Sequence, residues 1–453
     1  MVALSPIPAF DDLKITFQNS SLVFPSQKIH KESMFLSNMD QIPNFNITTA
    51  HFFMPNPDFP AENVAKILKI ALEKVLVHYD FMAGRLKLNH KIGRLEIDRN
   101  AAGVGFVVAS SELLLDEIGK YLSHPNLGYR QLAIQKLDSL PDEVDQPLCV
   151  FQVTSFKCGG FSMGMSTSHI LFDGIGAKTF LENLASQAFN DKPLASIPCN
   201  NRRLLDARSP PCIAFPHPEF LGLNLPTGEG SCPPMFDCGQ DELDYKIFKL
   251  SAAKIAKLKE RAKVSNAKTT TISSFAVVAA VVWQCKAFSD NTKSEKDNIS
   301  TMLNIIDIRP RVNPPLPSSY SGNAVLPLGV SATFEELENG LFSNVVGKIL
   351  EGAKVATDEY VRSAFDWLEV HRGVPHGDYV VSSWLRLGFE QVRYPWGKPI
   401  YICPIVNDRK DTCWVFRDAI DGEIAVMVAL PVEEMERFEG RFQSSLHEAM
   451  FSC

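Results

Sequence analysis

The distribution of apolar and polar positions divides the chain into short strands and longer amphipathic helices. Residues 47–55, "ITTAHFFMP", are β-branched and aromatic and stop at Pro55, which predicts a strand. In 61–79, "AENVAKILKIALEKVLVHY", apolar residues recur every three to four positions, the period of a helix buried on one face. "CVFQVTSF" (149–156) and "FSMGMSTSH" (161–169) flank Lys157-Cys158-Gly159-Gly160, a β-hairpin with a glycine-rich turn whose second strand ends on His169. After Gly174 and Gly176, "AKTFLENLASQAF" (177–189) has helical spacing.

Periodicity then fades. Prolines 193, 198, 210, 211, 216, 218, 226, 233 and 234 fall between 190 and 240, as in a long crossover between two halves. It resumes in 245–263 with a short strand and a Lys-rich helix. Residues 269–288, "TTTISSFAVVAAVVWQCKAF", predict a helix buried on most faces and capped from its Thr/Ser run. Strands follow at 298–309, 399–406, 412–419 and 422–431, then a helix at 432–450. Strands and helices mix without strict alternation, so the expected class is α+β layers rather than a doubly wound sheet.

Composition narrows the function classes. The 453 residues exceed one small core and predict two domains. A net charge of −7 opposes a broad nucleic-acid surface, which needs surplus Lys and Arg. Ten scattered cysteines with no Cys-x-x-Cys pair predict reduced thiols in the cytoplasm rather than a disulfide scaffold or zinc ribbon. The opening "MVALSPIPAFDDLK" has no basic region followed by an apolar core, so no signal peptide is expected. No apolar run approaches the roughly 20 residues that span a bilayer.

The candidate chemistry lies in "STSHILFDG" (166–174), where His169 and Asp173 stand four apart on a strand-to-helix loop. A metal pair would need further ligands, and no Cys/His cluster supplies them. A serine hydrolase would need Gly-x-Ser-x-Gly, and Gly164-Met165-Ser166-Thr167-Ser168 ends in Ser. A general base asks for less: a neutral imidazole takes a proton from a substrate hydroxyl or amine near neutral pH. Asp173 either orients the ring or holds the loop; spacing leaves both open.

Read with its neighbours, this stretch resembles the His-x-x-x-Asp-Gly signature of the BAHD acyltransferases, plant enzymes that use acyl-CoA. "YDFMAGRL" (79–86), "NRRLLDARSPP" (201–211), "DIRPRVNPPLPSSYSGNAV" (307–325), "VVSSWLRLGFEQVRYPWGKP" (380–399) and "IAVMVALPVEEMERFEGRF" (424–442) are similar to further family segments in the same order. The resemblance implies two chloramphenicol-acetyltransferase-like domains, here 1–190 and 241–453, joined by the crossover 191–240, with a solvent channel between them. It implies that His169 is the general base, that no acyl-enzyme forms, and that Asp173 is a structural support paired with Arg309. Trp384 would offer its indole N–H and Ser382 a hydroxyl at the site. Acyl-CoA would be a co-substrate, with no permanently bound cofactor and no metal, and the acceptor a small-molecule alcohol or amine. A monomer without nucleic-acid or membrane-spanning partners is expected. Ser251, Lys254, Ser273 and Ser274, near two helix starts, suit CoA phosphates through hydroxyl, N–H and ammonium groups.

The chain departs from the family in two places. Arg393-Tyr394-Pro395-Trp396-Gly397 stands where Asp-Phe-Gly-Trp-Gly is usual; Trp396 and Gly397 keep its structural positions. In the acceptor segment, Ile47, Thr49 and His51 stand where shikimate hydroxycinnamoyltransferases carry Thr, Ser and Tyr, and Pro375 stands at their carboxylate-binding arginine. Both changes point away from a shikimate acceptor, since a buried carboxylate without its cation is costly. The expected reaction is O-acylation of a hydroxylated lipid or specialised metabolite with an aromatic or acetyl group. N-acylation of an amine and a non-catalytic binding relative are the alternatives.

Overall fold

The computed structural model describes residues 12–451 except 29–31, 120–126, 141–144, 191, 223–242, 264–270, 291–298, 406–408, 411 and 419–420. The opening segment 1–11, much of the crossover, and the predicted element ends at 269–270, 298, 406 and 419 therefore lie outside the described residues.

In the first half, strands β1 (Ile15–Val23), β2 (Asn46–Phe53), β3 (Val104–Ser111), β4 (Cys149–Phe156) and β5 (Phe161–Ser168) accompany helices α1 (Ala61–Val75) and α2 (Gly174–Ala188). The second half holds β6 (Leu243–Leu250), α3 (Ala252–Arg261), α4 (Ser274–Ala287), β7 (Ile299–Asp307), β8 (Val325–Thr333), β9 (Tyr379–Ser383), β10 (Tyr401–Pro404), β11 (Thr412–Arg417), β12 (Ile424–Pro431) and α5 (Val432–Phe451).

Two six-stranded mixed sheets organise these elements. The first runs β1-β3-β4-β5-β2-β10 and the second β6-β12-β11-β9-β7-β8. The expected α+β class is the one observed. One strand breaks chain order: β10, from the second half, pairs antiparallel with β2, setting Ile402 opposite His51. Phe389, Tyr394 and Trp396 likewise enter the core of the first half, with Phe161 and Phe180.

Burial follows the side-chain pattern. α1 turns Val64, Leu68, Leu72 and Val75 onto the first core, and α2 adds Phe180, Leu181 and Leu184. α4 is buried nearly all round, from Ala276 to Trp283, between the second sheet and α5, as its continuous apolar run predicts. β5 is buried along its whole length, so its polar Ser162, Ser166 and Thr167 sit inside the fold.

Candidate functional site

β5 delivers the central loop. Its ladder ends at Ser168, His169 N–H donates to Phe45 O at 2.8 Å, and Asp173 then caps α2. The helix starts at Gly174, three residues before the predicted start. Both glycines thus lie in its first turn, where a Cβ at Gly176 would stand 2.7 Å from Ser321 O. Close approach of the 320–324 turn, rather than loop freedom, requires glycine there.

Asp173 is fully engaged by the fold. Its Oδ1 accepts N–H from Ile175 and Gly176 at 3.1 and 2.9 Å, and its Oδ2 accepts Ala324 N–H at 2.9 Å. Arg309 closes a bidentate pair, with Nη1 to Oδ2 at 2.8 Å and Nη2 to Oδ1 at 2.9 Å. Burial alone would raise this carboxyl; the Arg309 guanidinium and the backbone N–H groups hold it below its ordinary 3.8. Arg309 also donates to the carbonyls of Tyr320 and Gly322 at 3.2 Å. The pair ties the helix start to the 307–324 segment, 136 residues away.

The partner of His169 is a different residue. Its Nδ1 lies 3.1 Å from Asn323 Oδ1. Asn323 Nδ2 donates to His169 O at 2.9 Å, Ile170 O at 3.3 Å and Asp40 Oδ1 at 3.1 Å. With Nδ2 facing three acceptors, Oδ1 must accept, so the proton of the neutral imidazole sits on Nδ1. Nε2 keeps its lone pair and makes no hydrogen bond to a described residue. Burial lowers the imidazole below its ordinary 6.5 against smaller opposing effects, including Asp173. The ring is therefore neutral, and basic at Nε2, at physiological pH. Asn323 escaped the sequence reading although it lies in the quoted 307–325 segment; its role depends on a contact 154 residues distant.

His169 borders a cavity of about 1040 Å³ lined from both sheets. Alternate residues of β2 (Ile47, Thr49, His51) and of β5 (Met165, Thr167) form one wall, as the period-two rule requires. Phe172, Leu181, Phe389 and Trp414 add apolar surface. Thr49 Oγ1 lies 3.1 Å from His51 Nε2, and burial lowers His51 to about 3, keeping it neutral. Ser382 and Trp384 reach the cavity from β9 and the residue after it. Trp384 is fixed by its backbone N–H to Val415 O at 2.7 Å and by edge contacts with Phe389 and Trp414. Its indole N–H makes no hydrogen bond to a described residue.

The four residues expected to contact CoA separate into two pairs. Ser273, which caps α4, and Ser274 line the cavity. Ser251 and Lys254 do not: Ser251 is spent capping α3 through Lys254 N–H at 3.3 Å. Among the described residues, the lysine and arginine side chains that line the cavity are Lys259, Arg311, Arg386 and Arg417. Lys259, and not Lys254, reaches the cavity because positions five apart on a helix face different sides. Pro375 is also absent from the lining, being buried where Val374–Pro375 pairs with Phe220–Leu221. The altered loop 393–397 is held by reciprocal Tyr394–Gly397 hydrogen bonds of 3.0 Å, with Gly397 at φ +122°. Trp396 stacks on Tyr394 at 5.0 Å in the first core, while Arg393 is exposed and makes no ion pair with a described residue.

A cavity shared by two mixed sheets, with an oriented neutral histidine and a buried Asp–Arg pair beside it, sets a class that comparison makes specific. A family model described as "Transferase family" matches residues 13–445. Acyltransferase GLAUCE of Arabidopsis thaliana is 48% identical over 450 residues, covering 98% of each chain. Omega-hydroxypalmitate O-feruloyl transferase of the same plant is 32% identical, over 95% of this chain and 93% of its own. Fatty alcohol:caffeoyl-CoA acyltransferase, also from Arabidopsis thaliana, is 30% identical over 95% and 98%. The chain belongs to the BAHD acyltransferases. Solved structures agree on the fold. Vinorine synthase superposes with a TM-score of 0.72 at 20% identity, covering 95% of this chain and 98% of that one. F. sporotrichioides TRI101 complexed with coenzyme A and T-2 gives 0.73 at 14%, covering 90% and 97%.

Proposed function

We propose that the chain moves an aromatic acyl group from CoA to the hydroxyl of a long-chain lipid alcohol. The observation that carries this reading is the imidazole of His169, held by Asn323 so that Nε2 alone is left for the cavity. Nε2 removes the proton of the acceptor hydroxyl as its oxygen attacks the thioester carbonyl. The tetrahedral oxyanion accepts the Trp384 indole N–H and the Ser382 hydroxyl. Collapse breaks the carbon–sulfur bond, and the imidazolium returns its proton to the CoA thiolate. No enzyme nucleophile takes part.

The acceptor class is supported by the apolar wall of Ile47, Met165, Phe172, Leu181, Phe389 and Trp414, and by relatives named for omega-hydroxypalmitate and fatty alcohols. Ser273 and Ser274, with Lys259 and Arg311, are assigned to CoA. A cytoplasmic monomer is part of the same reading.

Purified protein given feruloyl-CoA and hexadecanol should form the ester and release free thiol only when both are present. His169→Ala should lose about 1000-fold in kcat while its circular dichroism stays unchanged. Thiol release without an alcohol, or full turnover by His169→Ala, would overturn the proposal.

A further inference from the structure

Behind Asn323 lies a carboxylate that the reaction as described does not use. Asp40 sits in the short helical turn Asn38–Gln41 and is fully buried, as are Ser37 and Asn323. Its Oδ1 accepts both the backbone N–H of Asn323 at 3.0 Å and the side-chain Nδ2 at 3.1 Å. Its Oδ2 accepts Ser37 N–H at 3.0 Å and Ser37 Oγ–H at 2.7 Å. Four donors on two oxygens leave this carboxylate one orientation. The nearest cation, Arg202, stands 3.9 Å from Oδ1 and spends Nη2 on Leu171 O, two residues past His169.

We propose that Asp40 is a positioning residue for acyl transfer: through Asn323 it fixes His169 as the Nδ1–H tautomer and steadies the charge the ring gains with the acceptor's proton. The argument rests on which way the amide faces. Turned over, Asn323 would present its oxygen to the Asp40 carboxylate and two carbonyls, and its NH2 to His169 Nδ1. That arrangement would put the ring proton on Nε2 and remove the base from the cavity. The two carbonyls bias the amide; the carboxylate adds a charge-assisted bond that a neutral acceptor does not match. When His169 becomes cationic, the polarised amide passes the Asp40 charge to Nδ1–H without placing a carboxylate in the cavity.

This inference rests on His169 as the base, so its test includes a readout independent of turnover. Imidazole 15N spectra of the wild-type protein should show Nδ1 protonated and Nε2 bare; Asp40→Asn should give a mixture of tautomers. In the ester assay, Asp40→Asn should lower kcat about tenfold with KM for acyl-CoA within about twofold. In an Asn323→Ala background the same change should cost nothing further in kcat, because the route to the imidazole is already cut. If Asp40→Asn does not fold, Ser37→Ala, which removes one donor from Oδ2, should still lower kcat two- to threefold, about what loosening one such bond removes. A folded Asp40→Asn protein with wild-type kcat and one tautomer, or losses that add to those of Asn323→Ala, would overturn the proposal. A wild-type protein that forms no ester would sink the acyltransfer reading alone, since the tautomer spectra still decide whether Asp40 sets the ring.

Discussion

His169 and Asp173 are four residues apart and face opposite tasks. One carries a lone pair into a cavity; the other holds an arginine in the core. Asp173→Asn keeps the helix cap but leaves Arg309 buried without its counter-charge. About 3 kcal/mol of stability should be lost at pH 7, read by urea unfolding. The wild-type contribution is present above pH 3.8 and lost as pH falls through the depressed native value, so the variant should show a shallower acid slope there. His51 offers a second pH test. Its native value of about 3 lies below the ordinary 6.5, so the unfolded chain takes up its proton first as pH falls. Stability should therefore decline from pH 6.5 towards 3, and His51→Gln should remove that component. An unchanged slope in the variant would show that His51 is already charged in the fold. With His169 as the proposed base, the acid limb of the pH–rate profile should have its midpoint below 6.5.

At the scale of elements, two capping serines separate a general helix effect from a local one. Ser251 caps α3 and Ser273 caps α4 by the same bond to the N–H three residues on. Either Ser→Ala change should cost about 1 kcal/mol of stability. Only Ser273→Ala should also raise KM for acyl-CoA, because only Ser273 borders the cavity. Equal KM values in the two variants would remove Ser273 from the CoA assignment. Much of the element plan was readable from side-chain period. The 149–169 hairpin and the apolar 274–287 helix have local patterns that no distant contact needs to complete. The start of α2 was misplaced because Gly174 and Gly176 look like loop residues until the 320–324 turn is packed against them. That Lys259 rather than Lys254 borders the cavity was not legible, because helix phase relative to a cavity is absent from a linear pattern. Asn323 carried no signal of its own, since a single asparagine becomes an orienting group only when His169 and Asp40 arrive beside it.

At the scale of the whole molecule, the two halves are joined by more than the crossover. β10 belongs by sequence to the second half and by hydrogen bonding to the first sheet. Asp173 with Arg309, and Asn323 with Asp40 and His169, are buried polar contacts between the halves. Asn38 Nδ2 adds a bond to Phe365 O at 2.9 Å. Opening the halves would expose the Asp–Arg pair, strip a strand from β2 and dismantle the cavity at once. A chain of this length ordinarily unfolds domain by domain, yet these links make each half a poor structure without the other. Unfolding in urea should therefore be one transition. Trp396 lies in the first core and Trp283 in the second, so proteins that keep only Trp396 or only Trp283, with the other four tryptophans replaced by Phe, report on opposite halves by fluorescence. Their transitions should coincide with each other and with far-ultraviolet circular dichroism, after correction for each substitution's own destabilisation. Two separated waves, with the Trp396 signal lost before or after that of Trp283, would show that the cavity is a seam between independent domains. A single wave makes it part of one cooperative fold, in which His169 is positioned only when the whole chain is assembled.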